Sequence, residues 1–365
     1  MRRRGWIAGW LGAGALVLTA CGGGGEGPSR HPPYPESARP SPGTAGSPSA
    51  KPAVRRGDGA ELIHRESGKG SAQNPAFAPD GKSLLFTVFH GGYNEGAAAL
   101  RVLPLAHRDG RDSRKAVRDL LDEHDRAAVN LPGSSWRPSA GVTFASDRAG
   151  KDEIWVLRPG GRPERVTEHP GNSGYLEPSF SSDGKWIVFQ ESVERKDPDG
   201  KAALADRSAL GSLWKVRRDG TEQTRLVNGP ASRTDNREPN WSPRGDRLVF
   251  QRRELGSDAW ALYVMNADGS GVRKLTTVAG EHTDASWSPD GRSVVFSSTT
   301  GGLALPKIFV MPVSGGAPVQ VTREPGTYDG APSWSPDGRW IAFESHPGSE
   351  DRPTSLWRTP APGKQ

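Results

Sequence analysis

The chain has a single cysteine, Cys21, among its 365 residues, so no intramolecular disulfide framework can hold it together. Its longest apolar run, from Gly5 to Leu18, is too short to span a bilayer comfortably as a helix. Neither Gly-x-Ser-x-Gly nor His-Glu-x-x-His occurs, which removes the strained serine elbow of hydrolases and the zinc-binding helix of metalloproteases. No block of Lys and Arg with interleaved aromatics is present. The net charge is +6, and half of it comes from Arg2, Arg3 and Arg4, so nucleic acid is not an expected partner. Ser146-Asp147-Arg148 with Gly150, and Asn266-Ala267-Asp268-Gly269, lack the ligand spacing and closing Glu of calcium loops. They read as turns, and no metal or cofactor is expected.

What is present is a repeat. Ala331-Pro332-Ser333-Trp334-Ser335-Pro336-Asp337-Gly338-Arg339-Trp340-Ile341-Ala342-Phe343 recurs around Phe77, Phe180, Trp241 and Trp287, with an eroded copy at Ser134-Ser135-Trp136-Arg137-Pro138. A short strand ends at the aromatic. Pro-Asp-Gly then turns the chain, with Pro presetting φ, Asp bonding its own backbone and Gly taking the left-handed position. The run after the turn, such as Trp340 to Phe343 or Leu84 to Phe86, is almost continuously apolar, as a strand covered on both faces must be. A third, aromatic-rich strand follows, exemplified by Leu262-Tyr263-Val264-Met265, then a shorter fourth, exemplified by Lys274-Leu275-Thr276.

Four strands per repeat, with core aromatics at 77, 136, 180, 241, 287 and 334, give a period of about 45 residues wherever no insertion intervenes, the period of a propeller blade. The expected fold is all-β, a six-bladed propeller over residues 58 to 360. The last repeat stops after its third strand at Trp357, while an orphan strand, Glu61-Leu62-Ile63-His64, precedes the first aromatic. Pairing those two would close the last blade and remove an open sheet edge.

The repeated Trp-Ser-Pro-Asp-Gly unit, with its aromatic third strand and Leu-Thr or Val-Thr ending, resembles the TolB-type (WD40-like) β-propeller repeat. That resemblance implies a protein-binding or scaffolding module of the cell envelope. It also implies a protein partner such as a peptidoglycan-associated lipoprotein. TolB itself has an α/β domain ahead of its propeller, for which residues 1 to 57 leave no room.

Those residues read differently. Met1-Arg2-Arg3-Arg4, the apolar run and Leu18-Thr19-Ala20-Cys21 make a secretory leader over residues 1–20. The last four resemble the bacterial lipobox, which implies that Cys21 carries acyl chains, palmitate among them, and holds a monomeric protein on the membrane. Gly22 rather than Asp follows the cysteine, which by resemblance to enteric lipoproteins favours the outer membrane and the periplasm. Gly, Pro and Ser dominate residues 21–57, a segment unable to bury enough apolar surface to order itself and so expected to be a flexible tether.

Insertions fall at residues 106–129, open between a helical turn and an outer strand, at residues 191–211, and at His90-Gly91-Gly92-Tyr93-Asn94-Glu95. Alternating strand direction puts all three on the face opposite the Pro-Asp-Gly turns, and binding residues usually sit on such loops. Three positions before the core aromatic, where the innermost strands are expected to begin beside the channel, stand Asn74, Gly133, Glu177, Glu238, Asp284 and Ala331, with Tyr175, Asn236, His282, Tyr328 and Asp329 nearby. From these, a ligand or partner funnel is expected at Asn74, Tyr175, Glu177, Asn236, Glu238, His282, Asp284, Tyr328 and Asp329, suited to a cation or a basic peptide segment. Carboxylates in such places also serve simply as acceptors for backbone N–H groups. The alternative is an enzyme or solute binder, of lyase or glycosidase type, acting on envelope glycan or peptide with His282 and a carboxylate as acid and base. The Trp residues at repeat positions are expected to pack between blades, leaving Trp260 outside the repeat frame.

Overall fold

The computed structural model describes residues 54–105, 113–121, 127–171, 173–192, 210–257, 259–348 and 352–363. The leader, Cys21 and the tether as far as residue 53 lie outside these, as do parts of the two longer insertions. Among the described residues no helix is long and apolar enough to cross a membrane.

Six antiparallel sheets stand around a common axis. The innermost strands are Ser71–Phe77, the split pair Ala128–Val129 and Trp136–Arg137, Gly174–Phe180, Thr234–Trp241, His282–Trp287 and Thr327–Trp334. Blades are numbered here from that of Ser71–Phe77. The ring closes as expected: Glu61–Arg65 pairs with Ser355–Pro360, supplying the outer strand of the sixth blade. Ordered contacts begin earlier than residue 58. Val54 packs into the core between blades 5 and 6, and the Arg56 guanidinium, stacked against Phe343 and Trp357, bonds Asp58 and Asp329. In blade 1 both candidate structures of the insertion occur, a helical turn at Ser113–Ala116 and then an outer strand at Arg118–Leu121.

The repeat unit explains the packing. The Phe that ends the apolar run of each second strand, Phe86, Phe144, Phe189, Phe250, Phe296 and Phe343, is 0% exposed. Each contributes about 2–3 kcal/mol by burial. Clusters mix neighbouring sheets; Val249 and Leu262 of blade 4, for example, pack with Val294 and Phe296 of blade 5. At the turns, Asp80, Asp183, Asp290 and Asp337 each accept the N–H two residues on, while Gly338 takes φ 74°.

Blade 2 departs from the pattern for a reason visible at the axis. Between its two short inner strands, residues 130–135 leave the sheet and cross the channel. The Asn240 side-chain amide of blade 4 donates to Pro132 O at 2.8 Å. Ser134 Oγ donates to Asn240 Oδ1 at 2.7 Å and also meets Ser179 of blade 3. Gly133 sits at the crossing with φ 92°, and a Cβ there would lie 2.9 Å from both Asn240 Nδ2 and Ser286 Cβ. The eroded copy therefore closes the channel like a floor.

Candidate functional site at the channel mouth

Five inner strands carry a residue at positive φ here, Asn74 (53°), Glu177 (55°), Glu238 (51°), Asp284 (55°) and Ala331 (45°), and in blade 2 the corresponding residue is Gly133 (92°) of the crossing segment. In five of the blades the strand register slips at this residue. Such a bulge leaves a backbone N–H without its ladder partner, and the next blade's bulge is where the acids act. Glu238 N donates to Glu177 Oε2 (3.0 Å) and to Gln190 Oε1 (2.9 Å). Asp284 N donates to Glu238 Oε2 (3.0 Å) and to Gln251 Oε1 (3.3 Å), and Ala331 N to Asp284 Oδ2 (3.4 Å). Blade 6 has no acid at its own bulge; Glu344, on its second strand, supplies the carboxylate instead and accepts Asn74 N at 2.9 Å.

Each carboxylate thus commits one oxygen to stapling adjacent blades. Burial in a shared space drives all four toward the neutral form. Glu177 is pushed up to about 8 by burial, against the opposing pull of Arg237. Burial likewise raises Glu344 to about 8, against the Asn74 N–H bond and with Asp284 nearby. Glu238 is raised well above the usual carboxylate range by burial and by Asp284 and Glu177. Asp284 is raised by burial while it shares a hydrogen bond with Glu238.

The funnel has one guanidinium among these acids. Arg237 is 29% exposed at its side chain and pairs with Asp235 at 3.0 Å, and its charge acts on Glu177 and Glu238. It is held in place by Trp260, which lies between Arg237 (5.2 Å) and Arg253 (4.7 Å), and this accounts for the one Trp outside the repeat frame. On the opposite side of the mouth stand aromatic groups. Tyr328 stacks on His346 at 4.7 Å and 10°, and Tyr93, from the blade-1 insertion, meets His346 edge-on at 5.5 Å and donates to the Tyr328 hydroxyl at 3.4 Å. The Tyr328 ring folds over Gly330, where a Cβ would lie 2.6 Å from its hydroxyl.

Of the residues expected at the funnel, Asn74, Glu177, Glu238, Asp284 and Tyr328 come together there. Tyr175, Asn236, His282 and Asp329 do not. All four stand two residues before the bulge and point into the blade. The Tyr175 hydroxyl accepts from Gln223; Asn236 bonds Gly211, Thr234 and Arg252; Asp329 pairs with Arg56 at 2.8 Å. His282 contacts Ser298 Oγ and Val278 O through its two ring nitrogens, and burial lowers its pKa, so it lies off the funnel where an acid or base would be needed. Gln190, Gln251, Glu344, Arg237, Tyr93 and His346 were not among the expected residues. Three of them carried a signal: the polar residue directly after the Phe of the second strand recurs as Phe189-Gln190, Phe250-Gln251 and Phe343-Glu344. Among the described residues no three His, Cys, Asp or Glu side chains are grouped to hold a metal ion.

Residues 219–352 match the family described as the TolB beta propeller domain. The chain is 30% identical over 274 residues to the protein TolB homolog of Chlorobium luteolum, covering 63% of this chain and 55% of that protein. It is 27% identical over 125 residues to the uncharacterized peptidase YuxL of Bacillus subtilis, covering 34% of this chain and 17% of that protein. The chain thus spans about half the length of the first of these relatives and less than a fifth of the second. Among solved structures, the putative TolB of Agrobacterium tumefaciens superposes with a TM-score of 0.52 at 20% identity, covering 80% of this chain and 90% of that one. With six blades closed by the N-terminal strand, the ring is a six-bladed β-propeller similar to those of TolB proteins.

Proposed function

We propose that this protein is a binding module of the cell envelope, tethered through Cys21, whose funnel receives a cationic segment of a partner protein. The observation that carries the reading is the charge balance at the mouth. Four carboxyl groups from blades 3 to 6 converge with one oxygen each committed to a backbone N–H, and one guanidinium, Arg237, is set among them. Acids that burial biases toward the neutral form, and that a positive group can ionise on arrival, make a site that gains negative charge as a cation enters. Likeness to TolB proteins supports a protein partner at the envelope, and the Leu18-Thr19-Ala20-Cys21 sequence supports the lipid anchor.

A photo-cross-linking side chain placed at Tyr93 in living cells tests this, with one at Asp290 on the turn face as reference. Adducts at Tyr93 should carry Lys- or Arg-containing peptides of one recurrent protein, and Cys21→Ser should move the whole protein out of the membrane fraction. Adducts only at Asp290, or glycan fragments at Tyr93, would overturn the reading.

A further inference from the structure

The two sides of the mouth differ in a way that specifies the ligand. On the Glu177 side the acids already have a cation, Arg237. On the blade 5 to blade 1 side no cation among the described residues acts on Asp284 or Glu344. Two buried groups there carry unbonded polar atoms. Glu344 is 0% exposed and its Oε1 has no hydrogen bond, while the Tyr93 hydroxyl faces its carboxyl group. His346 is 2% exposed and neither ring nitrogen is bonded. Buried polar atoms are nearly always satisfied, so an unbonded carboxyl oxygen and an unbonded imidazole beside two tyrosine rings point to something that binds between them.

We infer that Glu344, Asp284, Tyr93 and Tyr328, backed by His346, form a subsite for a primary ammonium group carried on a partner's polypeptide. An ammonium has three donors on a compact charge. It can give one each to Glu344 and Asp284 while its charge lies against the tyrosine rings, whose faces attract a cation. A hard metal ion would take carboxylate oxygens and leave the rings unused, and a guanidinium would call for a paired, planar acceptor. Gly330 belongs to the same device, since it is the missing side chain opposite Glu344 that lets the Tyr328 ring fold toward the mouth. The inference rests on the binding reading above and narrows it to one side of the funnel and one chemical group.

Titration calorimetry on the full chain near neutral pH tests it with three probes. These are a peptide with blocked ends and one lysine, the same peptide with that lysine acetylated, and a lysine-free peptide with a free N-terminus. At least one ammonium-bearing peptide should bind, which one it is deciding between a side-chain and a terminal source, and acetylation should abolish binding of the lysine peptide. Glu344→Gln, which keeps an acceptor for Asn74 N–H, and Tyr93→Ala, on a surface loop, should each weaken binding about tenfold or more, while Glu177→Gln changes it less than about threefold. Binding that survives acetylation, or that is lost in Glu177→Gln and retained in Glu344→Gln, would overturn the subsite and leave a funnel-binding role standing. If the photo-cross-linking at Tyr93 also found no cationic peptide, both readings would fall.

Discussion

The propeller places acids at two repeating positions, and the two behave in opposite ways. At the turns, Asp183 and Asp337 accept hydroxyl and backbone donors in the open, and those hydrogen bonds hold their carboxyl groups below the usual range. At the bulges, Glu177, Glu238 and Asp284 also accept backbone N–H bonds, yet burial overrides those bonds and raises all three. The same donor type therefore stabilises a charged acid on one face and only partly offsets the cost of a buried one at the other. Turn chemistry is structural and complete in itself, whereas the bulge acids retain free oxygens and an unfavourable charge that a ligand could relieve.

Substitution of glycines should break this comparison most strongly. Gly133→Ala at the funnel floor meets Asn240 and Ser286 at 2.9 Å with φ 92°, and should lose about 3 kcal/mol or more of stability in denaturant unfolding. Gly338→Ala on the turn face, φ 74° with nothing nearer than 3.9 Å, should lose only about 1 kcal/mol.

Smaller, and opposite in sign between the two regions, is the response to pH. Glu177 and Glu344 ionise near 8 when folded and nearer their ordinary value of 4.5 when unfolded. Folding therefore keeps their protons, and the stability this gives is full below pH 4.5 and lost as pH rises toward 8. His346, lowered to about 4 by burial, pulls the other way between pH 4 and 6.5, so the clean window lies above 6.5. The melting temperature should fall by several degrees between about pH 7 and pH 9, and Glu344→Gln should flatten that fall. The turn acids are depressed, so their contribution is present above the unfolded value of 3.8 and is lost as pH drops below it. Smallest of all, Asp337→Ala should cost about 0.5–1 kcal/mol near neutral pH and leave the fall between pH 7 and pH 9 intact; an equal flattening by this variant would erase the distinction.

Much of this molecule was legible in its residues. The Trp-Ser-Pro-Asp-Gly units placed the turns, and the missing fourth strand after Trp357 matched the spare one at Glu61, because strand count and edge protection are local arithmetic. The channel-side positions three before each core aromatic were legible too, but as strand starts; that the strands begin earlier and bulge there is seen only in the register. What failed was direction. Tyr175, Asn236, His282 and Asp329 stand two residues from the acids that face the funnel, and simple alternation would put both on one side. The left-handed residue at each bulge breaks that alternation, so they point into the blades instead. Glu344 was missed for a related reason: its carboxylate substitutes for the one absent at Ala331, and that exchange between strands appears only once the register Gly330 to Glu344 is known. Blade 2 could not be read as a floor, since Leu131-Pro132-Gly133 resembles any connecting loop until it is seen to cross the axis.

The central claim is that the funnel acids are held neutral in the empty protein and ionise when a cation enters. Infrared spectroscopy of the side-chain carboxyl band near neutral pH tests it directly. A protonated-carboxyl absorption should be present at pH 7, shrink in Glu344→Gln and in Glu177→Gln, shrink when a lysine peptide is added to the natural protein but not when it is added to Glu344→Gln, and decline as the pH is raised past about 8. Finding every carboxyl already ionised at pH 7, with no change on adding the peptide, would contradict it.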